Sequence, residues 1–160
     1  MLENELSFLV TKLPDLSGLP KKEIVQHYLP AKSHPLRLRK ADQTYELTKK
    51  LPVDDSVSRK EELTIPLTAE EFGMLVEHSV GLLTKTRYYY PLPGELTAEI
   101  DVFTGALTGL IMVEVEFADE ASRAAFVPPI WFGRDVSEEF WSSNPWLAGK
   151  TIEDVRPHLT

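Results

Sequence analysis

The chain has no cysteine. That excludes a disulfide framework, a thiolate metal site and a cysteine nucleophile, and it suits a reducing compartment. No apolar run approaches the roughly 20 residues that a membrane helix needs. The stretch Met1 to Val10 carries Glu3 and Glu5, which is wrong for a secretory signal. Positive charge is also short, with 17 Lys and Arg against 25 Asp and Glu and a net charge of −8. A deficit of that size speaks against nucleic acid or an anionic membrane as partner. His27, His34, His78 and His158 show no metal-ligand spacing, and neither a Walker motif nor H-E-x-x-H occurs. The expectation is a soluble, cytoplasmic protein, monomer or homodimer, acting on a small molecule. A polyanion remains an admissible ligand if the cations are concentrated in one cavity or supplemented by metal.

What is present reads as one domain spanning residues 1–160. Most of the prolines fall between runs with strand character, near 2–10, 23–29, 36–40, 44–50, 59–66, 84–90, 96–104 and 110–117. Thr68-Ala69-Glu70-Glu71 is a capping box that predicts a helix carrying Phe72, Leu75 and Val76. A second helix is expected near Asp119, and a short third one over Val136 to Trp141. The pattern is that of a β-dominated α+β protein.

In a strand, residues i and i+2 share a face. Glu3 shares one with Glu5, Arg37 with Arg39, Lys60 with Glu62, and Lys85 with Arg87. Glu99 and Asp101 flank Ile100, Glu114 and Glu116 flank Val115, and Lys50 joins Thr48 and Glu46 opposite Tyr45 and Leu47. For a single strand, such alternation describes any antiparallel sheet with one face in water. Here it recurs strand after strand, and the pairs are often of one sign, which repel on a solvent face and so suggest recruitment for ligands.

The arrangement that accommodates this is a closed antiparallel β-barrel of eight strands, with its charges inside and helices packed outside. Eight strands enclose roughly a small-ligand volume. Carboxylates without cysteine or paired histidine point to a hard cation, magnesium or manganese. Arginine forks match phosphate oxygens, and lysines act as point charges. The chemistry implied is attack of water on a terminal phosphoryl group. A lysine among other cations has its charged form disfavoured, so Lys50 is the candidate general base and Tyr28 a partner that orients it. As an isolated pair, these two would more often be an exposed lysine and a packed tyrosine.

The same residues resemble the CYTH domain, or triphosphate tunnel metalloenzyme, family. Glu3-Asn4-Glu5-Leu6-Ser7-Phe8-Leu9-Val10 is similar to its E-x-E-x-K-F-L-V signature. Leu36-Arg37-Leu38-Arg39 with Tyr45 to Lys50 resembles its third and fourth strands. Lys85-Thr86-Arg87-Tyr88, Glu99 to Phe103, Val113 to Phe117 and Phe126-Val127-Pro128-Pro129 with Trp131-Phe132-Gly133 follow in the family's order. The resemblance covers nearly the whole chain. It implies an eight-stranded tunnel, a triphosphorylated substrate and one or two divalent cations. It puts Glu3, Glu5, Glu114, Glu116 and Asp101 on metal-associated positions, and Arg37, Arg39, Lys85 and Arg87 on phosphate-binding ones. Tyr28 and Lys50 match a tyrosine–lysine pair of the bacterial tripolyphosphatase branch, and the segment around Val136 to Trp141 an element that plugs one tunnel mouth. Lys60 is a further tunnel cation, and Glu62 and Glu99 are further tunnel acids. Two positions depart from the pattern: Ser7 stands where the signature has lysine, and Thr64 where the fifth strand carries an acid.

The resulting expectation is hydrolysis of inorganic tripolyphosphate to pyrophosphate and phosphate. Thiamine triphosphatase and adenylate cyclase on the same fold are the alternatives within the family. A catalytically silent polyphosphate- or nucleotide-binding module is the alternative outside enzymology.

Overall fold

The computed structural model describes residues 2–32, 34–53, 55 and 59–160; of Leu2, Glu3 and Arg59 only the backbone is described. The expected metal position Glu3 therefore concerns a side chain outside the described ones. Among the described residues nine strands form: β1 (Leu2–Val10), β2 (Lys21–Tyr28), β3 (Leu36–Ala41), β4 (Thr44–Pro52), β5 (Arg59–Leu67), β6 (Gly81–Pro91), β7 (Thr97–Thr104), β8 (Ile111–Glu116) and β9 (Phe132–Asp135). They lie antiparallel in one sheet of order β5-β4-β3-β2-β6-β7-β8-β1-β9.

The expectation of an eight-stranded closed barrel is corrected by this sheet. One edge of β1 is taken by β8, with Glu5 to Leu9 in register with Glu116 to Met112. Its other edge is divided between two strands. Leu2, Glu3 and Asn4 pair with Glu61, Lys60 and Arg59 of β5, whereas Phe8 and Val10 pair with Asp135 and Phe132 of β9 across a register shift. Among the described residues β5 pairs with β1 only at these three positions, and β9 takes the same edge of β1 further along. The result is a curled nine-stranded sheet. β9 is short, and no alternating run announces it in the sequence.

Helix α1 (Ala69–Val76) starts at the expected capping box, with Glu71 N donating to Thr68 Oγ1 and Thr68 N to Glu71 Oε2. It packs on the outer face, where Phe72 meets Tyr45 and His27. Helix α2 (Glu120–Ala124) is capped by Asp119, as expected. Phe126 follows it and covers Phe8, Phe117 and Phe132. Of the expected helix over Val136 to Trp141 only the end is helical, in a 3-10 turn over Phe140–Ser142. Ser137 bonds through its N–H and hydroxyl to Asp135 Oδ1, and the Ser142 hydroxyl bonds to the carbonyls of Val136 and Glu139. Such side chain–backbone bonds replace a helical ladder with turns. Two short helices follow instead, α3 (Asn144–Leu147) and α4 (Ile152–Val155).

The inner face of the sheet is graded along the strands. Leu83, Phe103, Met112 and Leu9 lie at one end, and by the two-residue period they share that face with Lys85 and Arg87, Asp101 and Glu99, Glu114 and Glu116, and Ser7 and Glu5. The apolar end is covered by Val136, Trp141, Leu147 and Val155, all almost fully buried. The C-terminal segment therefore stops one end of the curled sheet and leaves the charged end as a cavity.

Candidate functional site

The cavity has two connected lobes, of about 360 Å³ and about 150 Å³. Glu5, Arg37, Lys50, Glu114 and Asn144 line both. Tyr28, Lys60, Ser7 and Thr48 belong to the larger lobe. Arg39, Arg87, Glu62, Glu99, Glu116 and Gln26 belong to the smaller one. Lys85 and Asp101 line neither lobe and are only 1% exposed. Leu38, Val113 and Val115 point the other way into apolar packing, as the strand period requires.

Pairs of like sign along each strand become pairs of opposite sign across strands. Arg39 faces Glu46 at 2.5 Å, and Lys50 faces Glu62 at 3.5 Å. Arg37 reaches Glu46 at 3.3 Å and donates to Thr48 at 3.1 Å. Thr48 and Thr64 share a hydrogen bond of 2.8 Å, and Thr64 donates to Glu62. So Thr64, which replaces an acid, extends a neutral network that holds one. Burial alone would raise the Glu62 carboxyl, but Lys50, Arg37 and the Thr64 hydroxyl hold it below the ordinary range.

The second network centres on Arg87. Its Nε and Nη2 grip the two oxygens of Asp101, each at 2.7 Å. Nη2 also donates to Glu114 at 2.5 Å, and Nη1 donates to Glu99. Lys85 Nζ donates to Asp101 Oδ2 at 2.5 Å and to Asn144 Oδ1 at 3.3 Å. Burial opposes every charge here. It lowers the Lys85 ammonium despite Asp101, whereas Arg87 and Lys85 overcome it at Asp101 and keep that carboxyl low. Glu99 goes the other way: burial raises it, and Glu114 and Glu116 add to the rise against the pull of Arg87. With both oxygens engaged by cations, Asp101 orients Arg87 and Lys85 toward the wall of the cavity.

Across from these cations, Glu5 stands directly opposite Glu116, and Ser7 opposite Glu114, in the β1–β8 ladder. Glu99 stands opposite Glu114 in the β7–β8 ladder. Opposed carboxylates on one face repel unless a cation lies between them. Among the described residues, no group of three or more acids or histidines is already gathered as an ion-binding cluster. Magnesium does not require one, since it commonly takes one or two carboxylates and completes its shell with water and phosphate oxygens. The donor set is all oxygen, and it fits such a hard cation.

Tyr28 is 5% exposed, and burial pushes its hydroxyl up to about 12 against the pull of Arg37 and Lys50. It is a neutral phenol at any physiological pH. The Nε atoms of Arg37 and Arg39 and the Oε1 of Gln26 are buried and make no hydrogen bond among the described residues. Buried polar groups are nearly always paired, so unpaired ones on a cavity wall mark places for ligand atoms. Gln26 was legible in principle, two residues before Tyr28 on the same face of β2, but it carries no charge to draw the eye. Asn144, in a four-residue helix far along the chain, had no sequence signal.

The geometry can be set beside known proteins. The chain is 41% identical over 154 residues to the inorganic triphosphatase of Nitrosomonas europaea, covering 92% of this chain and 97% of that one. The chain belongs to the inorganic triphosphatase family. A shorter match, 39% identical over 56 residues, covers 35% of this chain and 34% of the inorganic triphosphatase of Acetivibrio thermocellus. The solved structure of the inorganic triphosphatase NE1496 superimposes with a TM-score of 0.68 at 38% identity, over 91% of this chain and 93% of that one. No family model matches the chain. Among the described residues, no helix is long and apolar enough to cross a membrane.

Proposed function

We propose that the chain hydrolyses inorganic tripolyphosphate to pyrophosphate and phosphate, as a CYTH-type enzyme working with magnesium or manganese. The observation that carries this reading is the pair of buried, unpaired Nε–H groups on Arg37 and Arg39 in a cavity whose facing wall bears Glu5, Glu114 and Glu116. Donors of that kind suit phosphate oxygens, and opposed carboxylates suit a divalent cation.

In this reading, Arg37 and Arg39 bind the anionic chain, with Lys60 assisting from the larger lobe and Arg87 from the smaller one. Lys85 supports them indirectly, through Asp101 and Asn144. Glu5, Glu114 and Glu116 would hold the cation, and Glu3 would join them. When bound, the metal supplies charge neutralisation for the leaving pyrophosphate. Asp101 positions cations and has no ligand role here. Lys50 accepts the proton of the attacking water as the new P–O bond forms, and the bridging P–O bond breaks with its electron pair leaving on pyrophosphate. Tyr28 stays protonated and orients the lysine. Glu62, 3.5 Å away, fixes the position of the Lys50 side chain, and the lysine releases the proton it has taken up to solvent before the next turnover.

The test is phosphate release from tripolyphosphate, pyrophosphate, thiamine triphosphate and ATP, with magnesium, with manganese and with a chelator. Tripolyphosphate is expected to be preferred and the chelator to abolish release. Lys50→Gln should lower kcat about a hundredfold or more while changing KM little. Preference for an organic triphosphate would move the assignment to that substrate, and binding without turnover would make the chain a binding module.

A further inference from the structure

Lys85 looks from its strand position like a wall cation, yet it lines neither lobe. What lies between it and the cavity is Asn144, which lines both lobes and accepts a hydrogen bond from Lys85 Nζ through Oδ1. A carboxamide has one acceptor end and one donor end. Because the acceptor end is committed to a fully buried ammonium, the end that remains for the cavity is Nδ2, a donor.

We propose that Asn144 is a substrate-binding residue whose Nδ2 donates to a phosphate oxygen where the two lobes meet, with Lys85 fixing the orientation of the amide. This rests on the reading of the cavity as a triphosphate site and extends it to the C-terminal segment. The segment is held well enough for the purpose. Gly149 N donates to Leu82 O at 2.9 Å, and Leu147 is fully buried. The segment also sits against Gly81, where a Cβ would come within 3.0 Å of the Ala148 carbonyl. The chain thus approaches β6 closely enough to set Asn144 beside Lys85. A neutral donor suits this position, because a further cation beside Lys85 and Arg87 would add like-charge repulsion whenever no anion is bound.

The experiment compares Asn144→Asp with Asn144→Ala, reading the dissociation constant for tripolyphosphate by calorimetry, KM where turnover is present, and the melting temperature. If Asn144 serves only to hold Lys85, Asn144→Ala should lower the melting temperature and leave the affinity for tripolyphosphate within twofold of the parent. If Asn144 donates to substrate, the aspartate turns a donor into a repelling acceptor. The expected result is then weakening of about ten- to a hundredfold in Asn144→Asp, with an equal or higher melting temperature, and a smaller loss in Asn144→Ala. Affinity within twofold of the parent in Asn144→Ala overturns the proposal. A parent chain that binds tripolyphosphate without hydrolysing it removes only the catalytic reading, and Asn144 is then judged on the dissociation constant. Failure of the parent to bind tripolyphosphate at all overturns both.

Discussion

Glu5 and Glu116 are directly opposed across the β1–β8 ladder and line the same lobe of the cavity. Opposed like charges cost about 0.2–1 kcal/mol in a sheet, and here the strain is kept on the face where a cation is proposed. Glu5→Gln and Glu116→Gln each remove one of the opposed charges while keeping the shape of the side chain. Both should lose the thermal stabilisation that magnesium gives the parent, and turnover should fall at least a hundredfold. The check is a melting curve with and without magnesium beside a phosphate-release assay. Full magnesium stabilisation in both variants would place the cation elsewhere.

Arg87 carries the largest share of the buried charge, gripping Asp101, Glu99 and Glu114 at once. Arg87→Met leaves Asp101 buried with Lys85 alone, and breaking a buried pair in this way costs about 3–5 kcal/mol. Urea denaturation should show that loss. The double variant Arg87→Met/Asp101→Leu should recover part of it, since an uncharged core replaces an unpaired charge.

Tyr28 yields a pH prediction. Its hydroxyl is pushed up to about 12 in the folded chain, above the ordinary value of 10.0. The unfolded chain therefore loses this proton first as pH rises. The associated stability is fully present below pH about 10 and is lost between there and about 12, amounting to roughly 3 kcal/mol. Tyr28→Phe should remove that alkaline slope from a plot of unfolding free energy against pH. A slope unchanged in the variant would assign it to another group.

Ser7 stands opposite Glu114 and lines the larger lobe, with its N–H bonded to the Ser137 hydroxyl at 2.9 Å. S7K restores the cation found in the signature that the chain resembles. The backbone bond to Ser137 does not involve the side chain and should survive. A charge-assisted contact to phosphate is worth about 1.5–3 kcal/mol, or roughly ten- to a hundredfold in affinity. The expected outcome is a lower KM for tripolyphosphate in steady-state kinetics. An equal or higher KM would mean that the new lysine is absorbed by Glu114.

Strands β1 to β8, the capped helix α1 and the sorting of Arg37, Arg39, Glu114 and Glu116 from Leu38 and Val115 follow from local rules. Side chains alternate every two residues and a capping box closes on itself, so neighbours in sequence carry the information. What the sequence could not decide was anything set by contacts between distant segments. The division of β1's outer edge between β5 and β9 depends on which of two remote strands reaches it, and local alternation is blind to that choice. The charge pairs repeated the lesson. Arg37 and Arg39 look like repelling neighbours until β4 brings Glu46 between them. Lys85 and Asn144 are 59 positions apart, and only the close packing of the C-terminal segment against Gly81 brings them within a hydrogen bond. Periodicity determined which face each charge occupies. Tertiary packing decided which charges reach the cavity, because that depends on what another part of the chain places in front of them.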